Sequence, residues 1–183
     1  MKTVVGLSGS LRKASFNASL LRAAGELSPP ELKIEMATIA GIPLYDGDLE
    51  RDSGVPAVVT ALKDRIAAAD GLLLVTPEYN SGIPGVFKNA IDWLSRPATD
   101  IARVFGGKQV ALMGATPGRA GTRMSQVAWL AVLRTLETQL WTGEQLYVAG
   151  AGQAFDQDGA LVDPTVRKLL TTFMAGFAKH LGA

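Results

Sequence analysis

The sequence predicts an α/β protein: an open parallel sheet of five strands with helices on both faces. Three observations lead there. Short apolar runs alternate with longer segments whose apolar residues recur at helical spacing. One of those runs, Leu72-Leu73-Leu74-Val75, is continuously apolar and suits a central strand covered on both sides. The chain has 183 residues, 48% of them hydrophobic and 19% charged, which is enough to bury one core and too little for a second domain. A single domain over 1–183 is expected.

In order, Thr3–Ser8 reads as the first strand, and Ala18–Leu27 as a helix stopped by Ser28-Pro29-Pro30. Leu32–Ala37 is the second strand. A long irregular connection carrying Pro43, Tyr45, Asp46 and Asp48 then leads to a helix marked by Val55, Val58, Val59, Leu62, Ile66 and Ala69. Gly71–Thr76 is strand three, bounded by Asp70 and Pro77. A helix from about Gly85 to Ser95 places Phe87, Ala90, Ile91 and Leu94 on one face, with Pro97 beyond its end. Val110–Ala115, a long helix from about Gly121 to Leu140, strand Gln145–Ala149 and a helix from Asp163 to Leu181 complete the chain.

Composition narrows function. The 18 basic and 17 acidic side chains nearly cancel, so no strong field draws the protein to nucleic acid or anionic lipid. Small-molecule partners are expected. There is no cysteine and only one histidine, which leaves no thiolate chemistry, disulfide or histidine metal cluster. Any redox chemistry needs a borrowed cofactor. With no signal peptide and no membrane-length apolar run, a soluble cytoplasmic protein is expected.

In a sheet of this kind ligands bind beyond the carboxyl ends of the strands, where strand order reverses. With the order 2-1-3-4-5, the loops after strands one and three meet there. The first, Ser8–Asn17, places Ser10, Arg12, Ser15 and Asn17 just ahead of a helix, where free N–H groups and the positive dipole end favour an anion. It suits a phosphate. Ser15 or Asn17 as a plain helix cap, with Arg12 and Lys13 solvated, is the competing reading. The loop lacks the Gly-Lys-Ser/Thr ending of a Walker loop and the Gly-x-Gly-x-x-Gly dinucleotide pattern. The second loop, Thr76–Gly85, combines Pro77 and Pro84 with Gly82 and Gly85, so a constrained backbone can approach a flat ligand closely. Tyr79 and Asn80 would shape a ring pocket; alternatively, Pro84 merely opens the next helix. A third segment, Ala115–Thr122, follows strand four. Thr116 and Gly118 are its candidate contributors, and a surface turn is its alternative.

Four stretches carry a resemblance: Gly9-Ser10-Leu11-Arg12-Lys13-x-Ser15-Phe16-Asn17, Ile42-Pro43-Leu44-Tyr45-Asp46, Thr76-Pro77-Glu78-Tyr79-Asn80, and Lys88-Asn89-Ala90-Ile91-Asp92-Trp93-Leu94-Ser95. Through them the chain resembles the NADPH-dependent FMN reductase family, particularly its quinone and chromate reductase members. The resemblance implies a flavodoxin-like, doubly wound sheet holding FMN noncovalently. It places Ser10, Arg12, Ser15 and Asn17 around the phosphate, and Pro77, Glu78, Tyr79 and Asn80 around the isoalloxazine ring with Gly82 nearby; Phe16 and Ser81 are further candidate cofactor-binding residues. After strand four, Thr116-Pro117-Gly118-Arg119-Ala120-Gly121 departs from the Gly-Gly-Ala-Arg pattern of the chromate reductase branch.

The expected activity is ping-pong transfer: NADPH or NADH gives hydride to flavin N5 and leaves, and a quinone, chromate, azo compound or free flavin then takes the electrons. No side chain is expected as general acid or base, and no metal is expected. Backbone N–H groups of Asn80–Gly82 would stabilise charge at the ring edge. His180 reads as a structural or solvated residue in the last helical turn, and Trp93, Trp129 and Trp141 as core or interface fillers. Asp46, Asp48, Glu50 and Asp52, interleaved with Arg51, read as solvated. The apolar width of the Gly121–Leu140 helix predicts a homodimer, or a homotetramer as a dimer of dimers. An electron carrier of flavodoxin type is the alternative, and near-neutral charge argues against it. A flavin-free binding domain is a third reading, disfavoured by the intact first loop.

Overall fold

The computed structural model describes residues 1–183. Its sheet is parallel throughout and built from β1 (Lys2–Ser8), β2 (Leu32–Ala37), β3 (Gly71–Val75), β4 (Gln109–Ala115), β5 (Gln139–Leu140) and β6 (Leu146–Val148). The order is β2-β1-β3-β4, with both β5 and β6 beside β4. This is the expected 2-1-3-4-5 arrangement, except that the fifth position is shared by two short strands rather than one run from Gln145.

Both faces are covered because the strand residues alternate between two cores. Val4, Leu73, Val75, Ala111 and Met113 pack beneath helices α1 (Phe16–Leu27) and α8 (Pro164–His180). Val5, Leu7, Leu72, Leu74, Val110 and Leu112 face α3 (Ala57–Ala68), α4 (Gly85–Leu94), the short α5 (Ile101–Val104) and α6 (Arg123–Thr135). The unbroken run Leu72–Val75 thus serves two layers in turn, as a doubly covered strand must. Trp93 and Trp129 are fully buried fillers. Trp141 packs on Phe173 and Phe177, and His180 meets Gln109 Oε1 at 2.7 Å.

Two expectations need correction. The long helix stops at Thr135, not Leu140, because Glu137 turns into the left-handed region (φ 58°) and the chain re-enters the sheet at Gln139. The irregular connection after β2 contains a helix, α2 (Gly47–Ser53), capped by the Asp46 carboxylate, which accepts from Asp48 N–H at 2.8 Å. Its acidic residues find local partners: Arg51 pairs with Asp48 and Asp52, and Tyr45 Oη donates to Glu50. No cluster able to hold a metal ion forms. A last short helix, α7 (Ala151–Ala154), follows β6.

Candidate functional site

Register aligns Ser8 of β1 with Val75 of β3 and Val75 with Met113 of β4, so the loops after these strands emerge together at one edge. The β1–α1 loop is drawn down at Gly9, whose N–H donates to Val75 O at 2.9 Å. A Cβ at Gly9 would stand 2.2 Å from the Phe87 ring of α4. Only glycine permits this approach. The loop then rises into α1, and the N–H groups of Lys13, Ala14, Ser15, Phe16 and Asn17 donate to no protein atom. The guanidinium of exposed Arg12 has neither ion pair nor hydrogen bond, while Arg12 N–H reaches Ser10 Oγ at 3.3 Å.

The two readings of Ser15 and Asn17 resolve differently. Ser15 is indeed the cap of α1, its Oγ accepting from Ala18 N–H at 3.3 Å, which still leaves the hydroxyl proton to donate. Asn17 is neither cap nor free amide. Its side chain clasps the end of β4, donating to Ala115 O at 2.8 Å and accepting from Ala115 N at 2.9 Å. What Asn17 offers a ligand is therefore its backbone N–H, and the side chain instead fixes the helix start over β4.

The β3–α4 loop begins at buried Thr76. Its Oγ1 accepts from Trp129 Nε1 at 3.0 Å and lies 2.8 Å from Ser125 Oγ, joining the strand end to α6. Glu78 continues that junction: its carboxylate accepts from Ser125 N–H at 3.1 Å, in the first turn of α6, where helix N–H groups lack partners. Tyr79 and Gly82 then exchange backbone bonds across a tight hairpin, at 3.2 and 3.0 Å. Asn80 and Ser81 both take left-handed backbone, φ 51° and 59°, the geometry of a type I′ turn. Their N–H groups are left unpaired, whereas that of Gly82 is spent on Tyr79 O. The expected donor set of Asn80 to Gly82 thus shrinks to Asn80 and Ser81.

The loop after β4 is tied to the chain beyond β6: Thr116 N–H donates to Val148 O and Gly150 N–H to Gly118 O. Between these loops lies a cleft lined by Ser10, Arg12, Ser15, Phe16, Asn17, Pro77, Glu78, Tyr79, Ala115, Thr116 and Pro117. Asn80, Ser81 and Gly82 stand at the hairpin tip outside this lining, and Gly118, next to Pro117 in the chain, is outside it as well. The sequence reading missed Ala115 and Pro117 as lining. It also missed the Thr76–Ser125–Trp129 support beneath them, since no local pattern marks a contact between strand end and distant helix.

Unpaired N–H groups of the β1–α1 loop and Arg12 at this cleft suit an anion such as a phosphate, and Pro77, Glu78 and Tyr79 of the β3–α4 loop line it beside them. Ser8 Oγ, buried at the end of β1, has no partner. Residues 2–153 match the NADPH-dependent FMN reductase family. The chain belongs to that family. An NAD(P)H-dependent FMN reductase of Pseudomonas aeruginosa is 42% identical over 167 residues, covering 91% of this chain and 88% of its own. A 2-hydroxy-1,4-benzoquinone reductase from Burkholderia is 42% identical over 170 residues, with 93% and 91% covered. The solved flavoenzyme NAD(P)H:(acceptor) oxidoreductase of Paracoccus denitrificans is 34% identical, with a TM-score of 0.88 over 100% of this chain and 98% of that one. Among FMN reductases the flavodoxin-like sheet, the flavin and the nicotinamide-dependent oxidoreductase class go together, and the carrier alternative falls away.

Proposed function

We propose that this protein binds FMN in the cleft at the carboxyl edge of its sheet and acts in the cytoplasm as an NAD(P)H-dependent quinone reductase. The observation that carries the reading is the convergence of the β1–α1 loop, rich in unpaired donors, with the Tyr79–Gly82 hairpin. Bound FMN supplies the redox chemistry, taking two electrons from the nicotinamide and giving them to the acceptor. The residues of this chain hold and orient it. Arg12, the Ser10 and Ser15 hydroxyls and the N–H groups of Phe16 and Asn17 would hold the phosphate. Asn80 and Ser81 N–H groups would stabilise negative charge on the polar edge of the ring. Glu78 braces the hairpin against α6, and half-exposed Tyr79 walls the pocket. None of these side chains is needed as an acid or base.

The relative named 2-hydroxy-1,4-benzoquinone reductase supports a quinone as acceptor; chromate, azo compounds and free flavin are the other substrates to compare. A homodimer, or a homotetramer built from it, completes the proposal. Met124, Val127 and Leu130 lie exposed along one side of α6, at 52, 56 and 47%, a stripe that a partner would cover. Sedimentation showing monomer alone at micromolar concentration contradicts that part. No helix is long and apolar enough to cross a membrane. The activity is tested on the FMN-loaded protein without protein partners: NADPH or NADH should bleach the flavin, and a benzoquinone should restore its colour. A flavin that stays oxidised with both nucleotides overturns the reading.

A further inference from the structure

NADPH differs from NADH by one phosphate on the adenosine ribose, and an unpaired cation in open space is a group able to tell them apart. Most cationic side chains near the cleft are already engaged. Arg12 belongs to the cofactor loop. Arg123 lies over the Tyr147 ring at 4.4 Å. Lys13 and Arg22 line a cavity of about 300 Å³ on one flank, but Asp156 and Asp158 line it too, and Arg22 gives its Nη2 to Ser19 Oγ at 3.0 Å. An added phosphate there would meet like charge.

The other flank differs. A cavity of about 530 Å³, open to solvent, is lined by Pro117, Arg119, Ala149, Gly150, Gly152 and Gln153. None of these is acidic, and Pro117 also borders the flavin cleft. Arg119 makes no hydrogen bond, ion pair or aromatic contact. The cavity walls are held by Thr116 N–H on Val148 O at 2.9 Å, Ala151 N–H on Thr116 O at 3.0 Å and Gly150 N–H on Gly118 O at 3.0 Å. A side chain at Gly150 or Gly152 would meet nothing within 4 Å, so the backbone there faces free space. The Gln153 amide, also unpaired, adds a neutral donor.

We propose that Arg119, in the cavity between the β4–α6 loop and the Ala149–Gln153 segment, receives the 2′-phosphate of NADPH and makes that nucleotide the preferred reductant. The inference rests on the reading of the protein as an NAD(P)H oxidoreductase. A guanidinium can grip a phosphate with two parallel hydrogen bonds, an interaction NADH cannot make. The test compares FMN-loaded wild type, Arg119→Ala and Arg119→Lys in two ways: KM and kcat for NADPH and NADH, and calorimetric titration with 2′,5′-ADP and 5′-AMP. Wild type should bind 2′,5′-ADP roughly tenfold or more tightly than 5′-AMP. Arg119→Ala should raise KM for NADPH by a similar factor while leaving its kcat and the KM for NADH in place, and lysine should restore part of the loss. An unchanged ratio of the two KM values in Arg119→Ala, or 2′,5′-ADP held no better than 5′-AMP, overturns the proposal. If neither nucleotide reduces the flavin, the functional reading fails, and the titrations still decide the site by themselves: a preference lost in Arg119→Ala supports it, and indifference overturns it.

Discussion

The two ends of the parallel sheet handle their polar groups in opposite ways. At the amino end, where β1, β3 and β4 begin, nearly everything is answered: Asp70 accepts from Thr3 N–H at 2.8 Å and pairs with Lys2 at 3.1 Å. Lys108 Nζ donates to Ala69 O, and Gln109 joins Gln139 to His180. At the carboxyl end, a row of N–H groups from Lys13 to Asn17, those of Asn80 and Ser81, the Ser8 hydroxyl and the Arg12 guanidinium find no protein partner. Both ends are made of the same strands. The contrast separates an end whose polar groups are paired within the chain and hold the fold together from an end whose unpaired N–H donors and free guanidinium stand ready for a ligand. Substitutions at the amino end should therefore change stability alone, and those at the carboxyl end flavin affinity.

The largest effect expected is at Asn17, a carboxyl-end residue that serves both purposes. Asn17→Ala removes two buried hydrogen bonds and strands the Ala115 N–H and C=O, and should cost about 2–4 kcal/mol in chemical denaturation, with FMN affinity falling too. If stability is unchanged, Asn17 is not the clasp described. Next, Arg12→Ala should weaken FMN about tenfold or more in fluorescence titration, with Ser15→Ala acting in the same direction, while Arg12→Ala leaves the unfolding midpoint of the apoprotein in place. Equal FMN affinity in both variants would remove the phosphate assignment. At the opposite end, Asp70→Asn should cost about 1 kcal/mol of stability and leave FMN affinity untouched, since the pair is partly solvated. A matching loss of flavin binding would blur the division between the ends.

Asp70 also gives that end a pH signature. The Thr3 N–H, aided by Lys2, holds its carboxyl below the ordinary carboxylate range. A depressed folded-state pKa contributes stability that is present above the unfolded value and is lost as pH falls through the folded one. Wild type should therefore lose stability below about pH 4, and the gap to Asp70→Asn should close across that window. The smallest effect concerns Ser81, a non-glycine residue at φ 59°. Ser81→Gly should raise stability by about 1 kcal/mol, a gain visible in thermal melts; a loss would mean that the serine side chain supports the turn.

Much of this division is legible in the amino-acid sequence. The strands β1 to β4 are visible because each is a short apolar run between turn residues, and the flavin loops because hydroxyls, glycines and an arginine crowd into segments that should have been ordinary connections. Three things are not. Leu136 and Leu140 continue the helical spacing of α6, so nothing local shows that Glu137 breaks it and that Leu140 belongs to a strand of two residues. The helix Gly47–Ser53 buries no residue, so it lacks the apolar periodicity by which helices are read. The clasp made by the Asn17 side chain leaves no local signal, because its partner, Ala115, lies 98 positions away in the chain. The sequence places Glu78 only by resemblance, beside the ring, because its bond to Ser125 N–H joins residues 47 positions apart.

The central claim is that one cleft grips both the phosphate and the ring of FMN, and it is tested most directly by titrating the apoprotein with FMN and, separately, with riboflavin. FMN should bind at least about a hundredfold more tightly than riboflavin, the difference being the charge-assisted bonds of the Ser10–Asn17 loop. Equal affinity for the two flavins, or no binding of either, would contradict the account.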